Sequence, residues 1–172
     1  MKEDSQMTQE PITNDGYEKL TKEIRFFKEV EIPDVIEDIK VSASYGDLTE
    51  NAEYEAATER QGFLLTRLAE LQGLLTKLII IDPSKSNHNK ITFGSTFEII
   101  NIDTDEKFIY TLMGGYESNP TKGLISYNSP LAKFFIGKEI DEEIKVTLNN
   151  SVVYYEIEKV YFDKNRITLE KE

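Results

Sequence analysis

The sequence predicts an α+β protein of two domains: an N-terminal antiparallel α-helical coiled-coil hairpin and a C-terminal antiparallel sheet with one short helix. The first half of the 172-residue chain repeats apolar residues at spacings of three and four, as helices do. The second half alternates apolar and polar residues, as strands do. Between the two helical stretches, residues 46–54 contain three acidic side chains, which places a carboxylate cluster at the turn of the hairpin.

The first helix of the hairpin follows a polar N-terminal segment. Residues 1–11 lack periodicity, so we interpret them as a flexible tail, and the hairpin then covers residues 12–82. Thr13 has the side chain of an N-cap. Pro33 lacks a backbone N–H and is expected to kink the helix, and Gly46 follows the end of the helix. The apolar seam consists of Tyr17, Leu20, Ile24 and Phe27 before the proline and of Ile36, Ile39 and Ala43 after it.

The second helix carries a heptad seam. Its seam positions recur at alternating spacings of four and three, which is the pattern of a coiled coil, and Asp82-Pro83 ends it. Two long helices joined by a few residues pack as an antiparallel hairpin, and about 30 residues give an arm of about 45 Å. Such an arm is too thin to enclose a pocket, so we interpret it as a reaching device. The seam consists of Ala57, Gln61, Leu64, Leu68, Leu71, Leu75 and Leu78.

A polar linker over residues 83–91 precedes the second domain, which we place at residues 92–172. Four strands are expected there, with residues 149–151 as the turn of a β-hairpin. Ser129 and Pro130 have the side chains of an N-cap and of a first helical position, so a short helix is expected from there. The predicted strands cover residues 95–100, 108–113, 145–148 and 152–157.

The composition excludes several classes of protein. The net charge of −12 argues against a general nucleic-acid binder, because affinity for phosphates comes from Lys and Arg. The sequence has no cysteine, which excludes disulfides and cysteine nucleophiles and favours a reducing cytoplasm. The longest apolar run, residues 78–81, is far too short to span a bilayer. The single histidine, His88, lies in the polar linker, which argues against a catalytic role.

Two interpretations fit the acidic residues at the turn. Asp47 and Glu50 have the spacing of a capping box, in which Asp47 caps the second helix and Glu50 reaches back to it. Capping also fixes two carboxylates at the far end of the arm, where they offer oxygen ligands to a hard divalent cation such as Mg²⁺. Two ligands alone hold Mg²⁺ weakly, so a partner has to supply the others.

Several motifs of the sequence resemble one bacterial family. Residues 46–54 fit the motif G-D-L-x-E-N-A-E-Y, residues 61–63 fit Q-G-F, and residues 93–95 fit F-G-S/A. Residues 125–138 fit I-S-x-x-S-P-x-A followed by G-K. On these motifs the chain resembles the GreA/GreB family of transcript cleavage (elongation) factors, and its GreA branch more than its GreB branch, over about residues 12–162.

The resemblance implies a fold and a function. The second domain is expected to be FKBP-like without acting as a prolyl isomerase, and to dock at the rim of the secondary channel of RNA polymerase. The hairpin is expected to enter that channel, where Asp47 and Glu50 help to hold the second, loosely bound Mg²⁺ of the polymerase active site. The polymerase then hydrolyses backtracked RNA. On this view the chain is not itself an enzyme, binds no metal tightly, and acts as a cytoplasmic monomer.

Other residues have candidate supporting roles. Asn51 is expected to orient the turn, and Glu53, one helical turn beyond the acidic pair, either supports that pair or is a solvated helix acid. Asn128, Ser129 and Pro130 match the loop that contacts the polymerase rim in the family. Capping of the short helix also explains the serine and the proline, and the two roles are compatible.

The basic residues of the hairpin are where the chain departs from the family pattern. Family members often have Arg at the positions that Ala43 and Thr58 occupy here, so strong binding to RNA is in doubt. Arg60 and Arg67 lie seven residues apart on one side of the second helix. They either contact the RNA 3′ end or are solvated or paired surface arginines.

Two other functions are open to this architecture. One is a channel-binding protein that inhibits transcription, which an altered tip would indicate; the intact tip motif argues against it. The other is a free-standing FKBP-like isomerase or chaperone with a coiled-coil oligomeriser, which would need an aromatic-lined peptide pocket. The aromatic residues of the second domain alternate within strands, which is typical of an ordinary core.

Overall fold

The computed structural model describes residues 9–46 and 51–168. Within these ranges the chain divides into two compact units: one is Glu18–Lys77, and the other consists of the described parts of residues 1–17 and 78–172. The first unit is a helical hairpin and the second contains a curled, mostly antiparallel sheet, so the predicted fold class is confirmed. No helix in the described ranges is long and apolar enough to cross a membrane.

Four consecutive helical segments build the hairpin. Helix α1 covers Asn14–Phe26, a π-helical turn covers Phe27–Glu31, α2 covers Ile32–Ala43, and α3 covers Ala52–Leu75. The heptad positions predicted for the middle of the second helix are the ones that are buried, and full burial of each such leucine contributes about 1.5–3 kcal/mol. The buried apolar residues of the hairpin are Leu20, Ile24, Val35, Leu64, Leu68 and Leu71.

The π-helical turn explains an error of one residue in the predicted seam. Pro33 donates no backbone hydrogen bond, and its ring opposes a carbonyl of the preceding turn. The chain accommodates this residue with a wider turn, in which Ile32 N donates to Phe27 O five residues earlier. That turn contains one extra residue, which changes the phase of the helix that follows. As a result Val35 is buried, whereas the predicted seam residue Ile36 is exposed.

A two-stranded parallel sheet corrects the ends of two predicted segments. Strand β1, Glu10–Ile12, pairs with β2, Leu78–Ile80. The prediction of a flexible tail through residue 11 is therefore wrong for its last two residues, of which Pro11 is buried. The second helix ends at Leu75 instead of continuing to residue 82. Two of the three β2 residues are β-branched isoleucines, which favour a strand over another helical turn.

The larger sheet has five strands: β3, Ser95–Asn101; β4, Lys107–Met113; β5, Leu124–Ser126; β6, Glu143–Leu148; and β7, Ser151–Phe162. Their order in the sheet is β5-β4-β3-β7-β6. The four predicted strands are confirmed, whereas β5, which pairs in parallel with β4, is too short to show alternation in the sequence. Asn149 and Asn150 have φ of +50° and +63° and form the predicted turn between β6 and β7, as a two-residue hairpin requires.

The core of the sheet unit is aromatic. Phe97 of β3 is fully buried, and its ring centroid lies 5.3 Å from that of Phe135. Phe135 belongs to the predicted short helix, α4, which covers Ala132–Phe135. Ala132 and Phe135 are both part of the core. The sequence analysis predicts one short helix, but a second, α5, covers Lys164–Ile167. Its last residue packs against Met113 and Leu124.

The segment predicted as a linker is anchored to the sheet unit. Pro83 and Ile91 are buried, and the His88 ring stacks on Phe162 with 5.2 Å between centroids. His88 Nε2 lies 2.7 Å from the Pro83 carbonyl, and Nδ1 lies 2.8 Å from Ser95 Oγ. A carbonyl only accepts, so Nε2 carries a hydrogen and donates it to Pro83 O. His88 therefore has a structural role.

A buried carboxylate holds the first turn of α1. Thr13 Oγ1 accepts from Gly16 N at 3.0 Å, which confirms Thr13 as the N-cap. Glu117 accepts from Thr13 N at 3.1 Å and from the Thr13 hydroxyl. A Cβ on Gly16 would lie 2.3 Å from Glu117 Oε1, so this close approach requires glycine. Burial raises the pKa of Glu117 above its ordinary value of 4.5, and the hydrogen bonds from Thr13 offset that effect only in part.

We predict that Glu117 makes the protein less stable as the pH rises above 4.5. A carboxyl group with a raised folded-state pKa binds more protons in the folded state than in the unfolded state, so its contribution is complete below the unfolded-state pKa. As the pH rises from the unfolded-state pKa to the folded-state pKa, this contribution to the free energy of unfolding falls by about 1.4 kcal/mol per pH unit. Urea unfolding of the parent and of Glu117→Gln across this range should show the parent losing stability relative to the variant.

The comparison with the variant removes the effect of other carboxylates. A hydrogen bond from Lys159 lowers the pKa of Glu98, for example, and that group acts in the opposite direction, losing stability as the pH falls. A difference between parent and Glu117→Gln that stays constant across the pH range would contradict the assignment.

Candidate functional site

A single side chain joins the two helix ends at the tip of the hairpin. Asn51 Oδ1 accepts from Tyr54 N at 3.0 Å and so caps α3. Asn51 Nδ2 donates to Ser42 O, in the last turn of α2, at 2.7 Å. Only one orientation of the side-chain amide satisfies both bonds. The Tyr54 N–H needs the acceptor Oδ1, and the Ser42 carbonyl needs the donor Nδ2. Asn51 therefore fixes the distance between the helices where they end.

The end of α2 is closed by short local hydrogen bonds. The buried Ser42 hydroxyl donates to Asp38 O at 2.8 Å, and the Ser44 hydroxyl donates to Val41 O at 2.6 Å. Gly46 has φ of +113°, a conformation that favours glycine, and its surroundings are open. The prediction that this glycine follows the helix end is confirmed.

Asp47 and Glu50, the predicted catalytic and metal-binding pair, lie outside the described residues, and their roles stay predictions. One structural detail of the capping-box interpretation is wrong. Helix α3 begins at Ala52 with Asn51 as its N-cap, and not with Asp47 in that position. The sequence contained the signal for the observed cap, because Asn51 directly precedes a run of Ala and Glu residues that favour a helix.

Glu53 lies in the first turn of α3 and is exposed. A carboxylate in a first helical turn is favourable next to the positive end of the helix dipole. Glu53 also borders an open groove of about 450 Å³ between the end of α2 and the start of α3, with Tyr45 and Val41 along the opposite side. The structure thus places one described acid beside the tip segment, and its supporting role stays a prediction.

Arg60 and Arg67 are both ion-paired across the hairpin. Arg60 Nη2 lies 2.8 Å from Glu31 Oε2, and Nη1 lies 3.5 Å from Asp38 Oδ2. Arg67 Nη2 lies 3.6 Å from Glu23 Oε1. These contacts agree with the interpretation as paired surface arginines, and contact with RNA stays a prediction. These partners were not predicted from the sequence, although Glu31 and Asp38 also lie seven residues apart.

The predicted docking loop lies in the sheet unit. Ser129 Oγ accepts from Ala132 N at 3.2 Å, so this serine caps the short helix. The helix itself begins at Ala132, two residues later than the position predicted for Pro130. Asn128 and Pro130 are both exposed. Ser129 thus makes the hydrogen bond expected of a capping residue, although Leu131, and not Ser129, stands at the N-cap position of α4. The docking role of the three residues stays a prediction.

The predicted metal binding at the tip would depend on the carboxylates of Asp47 and Glu50, and it stays a prediction. Within residues 9–46 and 51–168, no group of three or more His, Asp or Glu side chains is arranged to hold a metal ion. Asp47 and Glu50 would contribute hard oxygen donors, which is the ligand type that Mg²⁺ prefers. The donor chemistry therefore fits a magnesium ion whose other ligands come from elsewhere.

Comparison with known proteins identifies the class. A family model described as "Transcription elongation factor, N-terminal" matches residues 10–80, and one described as "Transcription elongation factor, GreA/GreB, C-term" matches residues 85–162. Both models describe transcription elongation factors. The chain belongs to the GreA/GreB family.

Curated relatives match over nearly their whole length. The transcription elongation factor GreA of Nautilia profundicola is 48% identical over 157 residues, which cover 91% of this chain and 97% of the relative. GreA of Helicobacter hepaticus is 49% identical over 156 residues, 91% of this chain and 96% of the relative. GreA of Wolinella succinogenes is 46% identical with the same coverage.

We predict that Asn51→Ala destabilises the hairpin by about 1–2 kcal/mol, because it removes a helix cap and leaves a carbonyl without its side-chain donor. Asn51→Asp is the matched control, since aspartate still caps α3 but cannot donate to Ser42 O. It should lose less stability than the alanine variant in urea unfolding followed by circular dichroism. Equal stability of Asn51→Ala and the parent would show that the bridge has no role in holding the tip.

Proposed function

We propose that this chain is a transcript cleavage factor, which binds RNA polymerase in its secondary channel and stimulates the polymerase to cleave backtracked RNA. The chain itself is not the enzyme in this proposal. Membership of the GreA/GreB family supports the role in elongation, and the complete tip motif at residues 46–54 supports the cleavage role. A long, thin hairpin suits entry into a channel better than enclosure of a substrate.

Asp47 and Glu50 are the residues that would act at the polymerase active site. Their carboxylates supply oxygen ligands and negative charge to a region where a divalent cation is held incompletely. When bound, Mg²⁺ activates water and stabilises the attacking and leaving oxygens of an in-line displacement. The contribution of this chain is placement of the two carboxylates, since a ligand that arrives in the correct position avoids most of the entropic cost of assembly.

The observation that carries the proposal is the bridge formed by Asn51. This residue is part of the tip motif, and its side chain joins the last turn of α2 to the first turn of α3. Asp47 and Glu50 lie in the chain segment between these two joined points. The motif therefore contains the two acids that would act. It also contains the amide that limits how far the ends of α2 and α3 can move apart.

Docking is proposed to occur through residues 128–130 of the sheet unit. Asn128 and Pro130 are exposed beside a capped helix end, so they form a small and fixed surface. Ser129 contributes mainly to that fixed geometry. The isomerase alternative has less support, because the aromatic side chains Phe97 and Phe135 fill the core.

We predict that Asp47→Asn and Glu50→Gln abolish stimulated cleavage, because each substitution removes a charge while keeping the size of the side chain. The assay adds each protein with Mg²⁺ to a stalled, backtracked elongation complex and measures shortened RNA. Binding to the polymerase should stay nearly unchanged, which competition with labelled parent protein would measure.

Two outcomes of that assay would contradict the proposal. Parent-like cleavage by both variants would exclude the carboxylate mechanism. Slower elongation without cleavage by the parent protein would indicate an inhibitor that binds the same channel.

We predict that Asn128→Ala and Pro130→Ala weaken binding to RNA polymerase without changing thermal stability, because both side chains are exposed. Ser129→Ala is the contrasting variant. It removes the cap on Ala132 N, so it should lower stability by about 0.5–2 kcal/mol. If the two exposed substitutions bind the polymerase as the parent does, docking uses another surface.

A further inference from the structure

Arg60 on α3 makes two ion pairs with the opposite arm of the hairpin. One nitrogen of its guanidinium contacts Glu31, the last residue of the π-helical turn, at 2.8 Å, and another contacts Asp38 of α2 at 3.5 Å. The side chains are 49% exposed for Arg60, 27% for Glu31 and 59% for Asp38. One cation on α3 therefore holds two turns of the opposite arm.

Apolar packing is weak in this part of the hairpin. The buried residues of α3 are Leu64, Leu68 and Leu71, and none lies between Ala52 and Gln61. Small residues, including Ala56 and Ala57, line a groove there instead of filling it. Among the described hydrogen bonds and ion pairs that join the arms beyond the leucine seam, Arg60 makes two.

Charge increases the importance of this contact. Residues 29–60 contain ten Asp and Glu residues against two Lys and Arg residues, Lys40 and Arg60. Lys40 pairs with Glu37 in the same helix, so it does not connect the arms. Without Arg60, Glu31 and Asp38 would face α3 with no cation between them, and repulsion among the acids would tend to separate the helices.

We propose that Arg60 is a positioning residue for the tip, which acts by bracing the π-helical turn and α2 against α3, and that it is not an RNA ligand. This inference rests on the proposed function, because its main test measures stimulated RNA cleavage. Arg60 lies nine residues after Asn51, about 14 Å along α3, and Asn51 joins the same two arms beside the acids in the sequence. Arg67, one heptad after Arg60 in α3, makes one such ion pair across the hairpin, with Glu23.

The brace affects position more than stability. Exposed ion pairs contribute little to the free energy of unfolding, so removal of Arg60 should change the melting temperature only slightly. A misplacement of about 1 Å at a reacting centre can lower a rate by about 100-fold. A partial loss of cleavage with a nearly normal melting temperature is therefore the expected signature of a positioning role.

The first test compares Arg60→Gln with Lys40→Gln in the backtracked-complex assay. Each substitution removes one positive charge from the distal part of the hairpin, but only the first removes a contact between the arms. Arg60→Gln should lower the saturating cleavage rate by about 3- to 10-fold and leave the half-saturating concentration unchanged. Lys40→Gln should behave as the parent. Equal behaviour of the two variants would overturn the brace.

The second test exchanges the charges. Arg60→Glu alone and Glu31→Arg alone should both lower the cleavage rate, and the double variant should restore most of it, because the pair is re-formed with opposite polarity. Contact of Arg60 with RNA predicts that the double variant stays as slow as Arg60→Glu, and that result would overturn the inference.

The melting temperatures of the same four proteins separate this inference from the proposed function. If the parent does not stimulate cleavage, the proposed function is wrong, and the double-variant cycle in melting temperature then tests the brace by itself. Each single charge reversal places like charges opposite each other, which costs more stability than loss of the exposed pair, and the double variant relieves that repulsion, so a non-additive cycle is expected and supports the brace. An additive cycle overturns it.

Discussion

The side-chain amide of Asn51 is the interaction on which the end of the hairpin depends. Two helices that share one seam are held by apolar packing only where that seam is buried, and in α3 the buried seam is confined to Leu64, Leu68 and Leu71. Beyond it, an amide that caps one helix and binds a carbonyl of the other replaces hydrophobic contact with two directional hydrogen bonds. Hydrogen bonds fix distance and orientation more narrowly than apolar contact does.

The backbone contributes to the same geometry through the π-helical turn at Phe27–Glu31. The extra residue in that turn accommodates Pro33 and at the same time brings Val35, and not Ile36, into the seam. It also ends at Glu31, the residue that Arg60 contacts. A local response to one proline therefore decides which side chains of the first arm face the second arm.

The sequence predicted the large features because each has a strong periodic signal. The heptad leucines, the four longer strands and the Asn149-Asn150 turn repeat or use a restricted conformation, so their patterns are readable without tertiary information. Strands β1 and β2 were not predictable in this way, since their pairing joins distant residues. The π-helical turn was not predicted because Pro33 indicates a disturbed helix without indicating how the helix adjusts. At the site, Asn51 was identified as a turn residue, but its bond to Ser42 O requires the second helix to be in place.

The excess of acidic residues in the hairpin gives a physical reason for the polar contacts made by Asn51 and Arg60. In the proposed function the tip brings carboxylates to a cation of another protein, and like charges on facing helices repel one another. A larger apolar core would resist this repulsion but would thicken an arm that is proposed to enter a channel. Polar bridges at Asn51 and Arg60 resist it without added width, because they use side chains already on the facing surfaces. The same ion pairs occupy Arg60, one of the two arginines considered above for contact with the RNA 3′ end, so the proposed brace and the predicted RNA contact would compete for one side chain.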